Sequence, residues 1–112
     1  MSMQQATTPS MRRQFERRTV KANAFVHCQG RFQRAKVVDY SPGGLQLQGT
    51  FGLMKRDPIQ IELLSGTRVL GQVAWTLGAH TGIAFTEALP TTHPALIELA
   101  RKSTDHLDLR AS

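Results

Sequence analysis

A chain of 112 residues, 40% hydrophobic and 20% charged, has the length and composition of one ordinary domain. No stretch approaches the roughly 20 consecutive apolar residues of a membrane span, and Met1 to Ser10 lacks the apolar segment of a secretory signal, so a cytoplasmic protein is expected. The single cysteine, Cys28, excludes an internal disulfide, the scattered His27, His80, His93 and His106 show no zinc-ligand spacing, and the net charge of +6 points to an anionic partner.

Residues 1–10 (MSMQQATTPS) are polar and aperiodic and read as a flexible leader. Residues 11–18 (MRRQFERR) form a basic segment around Phe15. Val20 to Cys28 alternates, with Val20, Ala22, Ala24, Val26 and Cys28 on one face, and predicts a strand. Gln29-Gly30 is a tight turn, and Phe32 to Val38 predicts a second strand with Ala35 and Val37 inward. Asp39 to Gly44 (DYSPGG) is dense in turn formers and is expected to be a loop. Leu45 to Gln48, Pro58 to Leu64, Arg68 to Thr76 and Thr81 to Thr86 predict four more strands, with Val69, Gly71, Val73 and Trp75 sharing one face of the fifth. Pro94 opens a short helix over residues 93–103, with Thr91 or Thr92 at its cap and Leu96, Leu99, Ala100 and Ser103 as its apolar stripe. Residues 105–112 read as a tail. Six short strands about ten residues apart, followed by one helix, predict a mainly β domain, a sandwich or small barrel closed by the helix.

Charge is focused. Up to Tyr40, eight basic residues stand against Glu16 and Asp39, whereas six face six in the remainder, so the whole excess lies in the first third. Arg12, Arg13, Arg17 and Arg18 therefore form the first constellation. A guanidinium fork donates paired hydrogen bonds to phosphate, stacks on planar bases and grips the N7 and O6 acceptors of guanine. Taken alone, such a run is also what a solvated basic tail looks like. The second constellation is Asp39, Ser41, Gly43 and Gly44. A carboxylate can accept from the N–H groups of a base and a hydroxyl can serve a phosphate, while the glycines permit positive φ and close approach of a ligand. Taken alone, the same residues make a β-turn whose Asp and Ser cap their own backbone. No nucleophile–base pair is suggested by spacing, and His80 falls in a loop without an evident partner, so no enzyme is expected.

Together, Arg13-x-x-x-Arg17 and Asp39-x-Ser41-x-x-Gly44, separated by one predicted hairpin, resemble the two-part signature of the PilZ family. The Gly44-Leu45 entry into the third strand, and Gln72 to Trp75 followed by Thr81 to Phe85, extend the resemblance over Arg12 to Glu87. The resemblance implies a six-stranded antiparallel barrel with a short C-terminal helix. It also implies a binding domain for the bacterial second messenger cyclic di-GMP, with no catalysis and no cofactor, over residues 11–104. Arg13 and Arg17 would contact guanine and phosphate, Asp39 and Ser41 a guanine edge, Gly44 would keep the loop open, and Gly43 beside it would belong to the same ligand-binding set. Arg12, a basic residue directly before the RxxxR pair, goes in this family with a mutually intercalated pair of ligand molecules. Trp75 falls where some members place an aromatic against guanine; as a residue, it reads equally as core.

A domain of this kind, monomer or weak dimer, is expected to act through a protein effector, with ordering of the arginine segment as the signal. Two other readings stand beside it. One is a basic barrel for single-stranded nucleic acid using Phe15, Phe25, Phe32 and arginines, which gives Asp39 and Ser41 no role. The other is a PilZ-like adaptor without ligand.

Overall fold

The computed structural model describes residues 16–103. The expected leader, Arg12, Arg13 and the C-terminal tail lie outside the described residues. Six strands follow in chain order: β1 (Arg18–Cys28), β2 (Arg31–Ser41), β3 (Gly44–Gln48), β4 (Pro58–Leu63), β5 (Arg68–Leu77) and β6 (His80–Phe85). They close into an antiparallel barrel in the order β1-β2-β3-β6-β5-β4, with β4 pairing back onto β1. One helix, α1 (Pro94–Arg101), follows. The predicted mainly β architecture is thus a closed barrel, which leaves no unpaired sheet edge.

The alternation in β1 supplies one apolar face to the barrel interior. Val20, Ala22, Ala24, Val26 and Cys28 are all buried, and they meet Ala35 and Val37 of β2, Leu45 and Leu47 of β3, Ile59, Ile61 and Leu63 of β4, Val69 and Val73 of β5 and Ile83 and Phe85 of β6 in one core. Gln29 and Gly30 both have left-handed backbone, φ 51° and 78°. That pair of positive φ angles matches the twist of a two-residue hairpin and brings β2 back alongside β1.

Helix α1 caps one end of the barrel. Its N-cap is His93, not Thr91 or Thr92: the His93 side chain accepts from the Ala95 N–H at 3.0 Å, and Pro94 takes the first turn, where a missing N–H costs nothing. The buried stripe is Ala95, Leu96 and Leu99, which join the barrel core. Ala100 is exposed, and Ser103 lies past the helix, where it bridges to Val20 and donates from Oγ to the Thr19 carbonyl at 3.0 Å. Glu98 fastens the helix to the β4–β5 turn by accepting from the Ser65 N–H at 3.3 Å and from the Ser65 hydroxyl.

Every strand differs from its expected range at one end or both, and the largest change lies between β2 and β3. β2 continues through Asp39, Tyr40 and Ser41, and β3 begins at Gly44, so the expected six-residue loop is reduced to Pro42 and Gly43. Pairing with both neighbours satisfies the backbone of Asp39 and Tyr40 and overrides the local turn chemistry, as tertiary context does with strand propensity.

Candidate functional site

Two β-bulges build the site. In the β2–β3 ladder Val37 pairs with Leu47 but Asp39 pairs with Gln46, so Val38 is an extra residue. In the β5–β6 ladder Val73 pairs with Ile83 but Trp75 pairs with Gly82, so Ala74 is an extra residue. A bulge inserts one residue and re-aims the side chains beyond it. Strict alternation would point Asp39 inward with Ala35 and Val37, and Trp75 inward with Val69 and Val73. The bulges turn both outward. The expectation that Trp75 shares the buried face is therefore corrected: it is 42% exposed.

Pairing then lines up five outward positions across the barrel wall. Thr19 of β1 stands opposite Asp39, Asp39 opposite Gln46 of β3, Gln46 opposite Gly82 of β6, and Gly82 opposite Trp75 of β5. Arg17, immediately before β1, reaches over this row. Its Nε donates to Asp39 Oδ1 at 3.0 Å and its Nη2 donates to the same oxygen. The other carboxylate oxygen, Oδ2, accepts from Gln46 Nε2 at 2.7 Å. An open cavity of about 700 Å³ lies along the row, lined by Arg17, Asp39, Gln46, Trp75 and Gly82 together with Ser41, Gly43 and Gly44. That volume is within the roughly 300–1,000 Å³ of small-molecule sites.

Ser41, Gly43 and Gly44, which also line the cavity, shape its backbone. Ser41 is 2% exposed, and its Oγ accepts from the Gly43 N–H at 3.2 Å, so it shapes the turn. Gly43 holds the turn against β6 by accepting from the Phe85 N–H at 2.9 Å. Gly44 is not among the residues with positive φ; it is the first residue of β3, opposite Ala84, and a Cβ there would overlap the Ile83 carbonyl oxygen and lie 3.2 Å from the carbonyl carbon. Its missing side chain allows two strands to approach closely.

Gln46 and His80 were missed by the sequence reading. Gln46 is an ordinary outward polar residue of an alternating strand, and only its place two residues after Gly44, beside the motif, hinted at more. His80 opens β6 and has a partner after all: its Nδ1 lies 2.9 Å from Gln46 Oε1. No spacing rule connects residues 34 apart.

No helix among the described residues is long and apolar enough to cross a membrane. Comparison with curated proteins finds no match. Among solved structures, the chain is similar to the PilZ domain of CeSA from a cellulose-synthesizing bacterium, with a TM-score of 0.55 and 15% identity over 64% of this chain and 81% of that one. The likeness is one of fold. A family model described as PilZ domain matches residues 11–102. The chain belongs to the PilZ domain family, a family of cyclic di-GMP receptor domains.

Proposed function

We propose that this protein binds cyclic di-GMP in the cavity bounded by Arg17, Asp39 and Trp75, and passes the signal to a protein effector by ordering its arginine segment. One observation carries the reading: Arg17 and Asp39, 22 residues apart and belonging to the two halves of the signature, meet in one open cavity.

The chemistry of that meeting supports an exchange. An ionised carboxylate offers about four acceptor positions. In Asp39, Arg17 takes two at Oδ1 and Gln46 takes one at Oδ2. A guanine edge brings two adjacent N–H donors, which need both oxygens. Guanine therefore engages Asp39 fully when Arg17 turns from Asp39 to the ligand. The magnitudes favour that turn. The Arg17 side chain is 50% exposed, so its pair with Asp39 contributes on the order of 0–1 kcal/mol. A hydrogen bond between a guanidinium and phosphate contributes roughly 1.5–3 kcal/mol. Arg13, four residues earlier, would supply the second fork, and Arg12 supports an intercalated pair, two ligand molecules per domain. The exposed indole of Trp75 offers a face for a base.

Calorimetric titration with cyclic di-GMP, with GMP and GTP as controls, tests the reading. Binding of cyclic di-GMP alone, with a stoichiometry near two, is expected; absence of binding would reject the assignment. The nucleic-acid reading receives less support. Phe25 and Phe32 stack on each other, with ring centroids 5.3 Å apart at 12°, and neither lines the cavity. A steep loss of oligonucleotide affinity with salt would mark that alternative.

A further inference from the structure

Asp39 is held from behind by two residues that the family signature does not include. Its Oδ2 accepts from Gln46 Nε2 at 2.7 Å, and Gln46 Oε1 lies 2.9 Å from His80 Nδ1. Both side chains stand on the outer wall, where Gln46 is opposite Gly82 and His80 opposite Gln48, so Gln46 and His80 are diagonal neighbours across the β3–β6 ladder. Both are half-buried.

The donor and acceptor roles in this chain follow from the carboxylate. Asp39, paired with Arg17, can only accept. The Gln46 group facing it must then be the amide NH₂, which leaves Gln46 Oε1, itself only an acceptor, facing His80. His80 must therefore carry its proton on Nδ1. The amide of Gln46 has one compatible orientation and a neutral His80 one compatible tautomer, so neither can reverse without losing a bond.

We propose that Gln46 and His80 are positioning residues for ligand recognition, forming a relay from His80 Nδ1–H to Gln46 and from Gln46 to Asp39 that fixes the carboxylate while Arg17 leaves it. The need for such a fixture is geometric. Among the described residues, Arg17 and Gln46 are the two side chains that anchor Asp39, one on each oxygen. When Arg17 turns to a phosphate, Gln46 alone keeps the carboxylate plane facing the cavity, and His80 keeps Gln46 in the donating orientation. Recognition then pays little rotamer entropy at Asp39, since the group is already in place.

The inference rests on the cyclic di-GMP reading, and its test separates the two. Calorimetry on the full chain compares wild type, Gln46→Ala, His80→Ala, His80→Asn, Asp39→Ala and Asp39→Ala/Gln46→Ala, with thermal midpoints checked for each. Gln46→Ala and His80→Ala are expected to weaken cyclic di-GMP binding about three- to tenfold, less than loss of a charged contact to the ligand itself, because both act on the ligand only through Asp39. His80→Asn keeps an N–H near the position of Nδ1 and is expected to recover most of the loss. In the Asp39→Ala background, Gln46→Ala should add nothing, because the relay has no carboxylate left to hold. A residue that merely packed would show neither the rescue nor the vanishing effect. Nitrogen NMR of the free protein should find the His80 proton on Nδ1, and should lose that preference in Gln46→Ala.

Failure of the wild-type chain to bind would reject the cyclic di-GMP reading and the relay's role in binding with it. Wild-type binding with unchanged affinity in Gln46→Ala and His80→Ala, additive losses in the double variant, or a His80 ring without a proton on Nδ1 would overturn the relay alone.

Discussion

The indole of Trp75 occupies the space in which a side chain at position 82 would stand. A Cβ on Gly82 would fall 2.7 Å from Trp75 Cδ1 and nearer still to Nε1 and Cε2. Gly82 is buried beneath the ring, and the ring lies flat on the barrel wall beside Gln46 because nothing projects from β6 at that point. Gly82→Ala should therefore evict the indole from its seat. Since Trp75 is the one tryptophan of the chain, its fluorescence reports this directly: a shift to longer wavelength is expected in the variant. Cyclic di-GMP affinity should fall at least threefold. The stability loss should stay near the lower end of the roughly 1–3 kcal/mol of overpacking, because an exposed side chain can move aside.

Gly44→Ala should behave in the opposite way. Its Cβ would meet backbone, the carbonyl of Ile83, which can move only if β3 and β6 part. A stability loss of about 2–3 kcal/mol is expected by denaturant titration, with binding reduced because the wall itself is distorted. Equal stability of the Gly44→Ala and Gly82→Ala proteins would contradict this distinction between a backbone obstacle and a movable ring.

Arg17→Ala removes one fork from the site and an exposed ion pair from the fold. The thermal midpoint should change little, in keeping with a pair worth on the order of 0–1 kcal/mol. Cyclic di-GMP binding should weaken about tenfold or more. Arg13→Ala is expected to match it in affinity. Unchanged calorimetric affinity in both variants would remove the arginine segment from the site.

If Arg17 exchanges Asp39 for the ligand, the chain before β1 must follow it. Hydrogen exchange across residues 1–18 should then slow when cyclic di-GMP is added. Identical exchange with and without ligand, in a protein shown by calorimetry to bind, would leave recognition in place and eliminate the ordering of this segment as the signal.

Cys28 gives a pH signature unrelated to the ligand. Burial pushes its thiol up from 9.0, the negative charge of Asp57 and a hydrogen bond to Asp57 push it further, and Arg31 opposes them. With the folded thiol titrating above the unfolded one, the unfolded chain releases its proton first. The stability from Cys28 is thus fully present below about pH 9 and is lost as pH rises through the folded value. Denaturation midpoints should fall above pH 9, and that part of the fall should be absent in Cys28→Ala. In the native protein near neutral pH, a thiol reagent should react slowly, at a rate that rises with denaturant.

The sequence alone determined the barrel strands, because alternation is a local property. Val20 to Cys28 must place five residues on one face in any extended chain, and that face is apolar. The turn at Gln29-Gly30 was legible through Gly30, which tolerates positive φ, whereas the positive φ of Gln29 is imposed by the hairpin. The two motif halves could also be read as a pair, and the match over residues 11–102 bears out the family.

Tertiary structure decided where the site residues point. Period-two reading cannot foresee an extra residue in a ladder, because a bulge is a property of two paired strands and not of one. Val38 and Ala74 are such residues, and they alone reverse Asp39 and Trp75 from inward to outward. In the same way, turn-forming residues from Asp39 to Ser41 became strand because neighbours on both sides could pair with them. The contact of His80 with Gln46, 34 residues away, exists only because β6 lies beside β3 in the closed order, a choice made by the packing of the whole barrel.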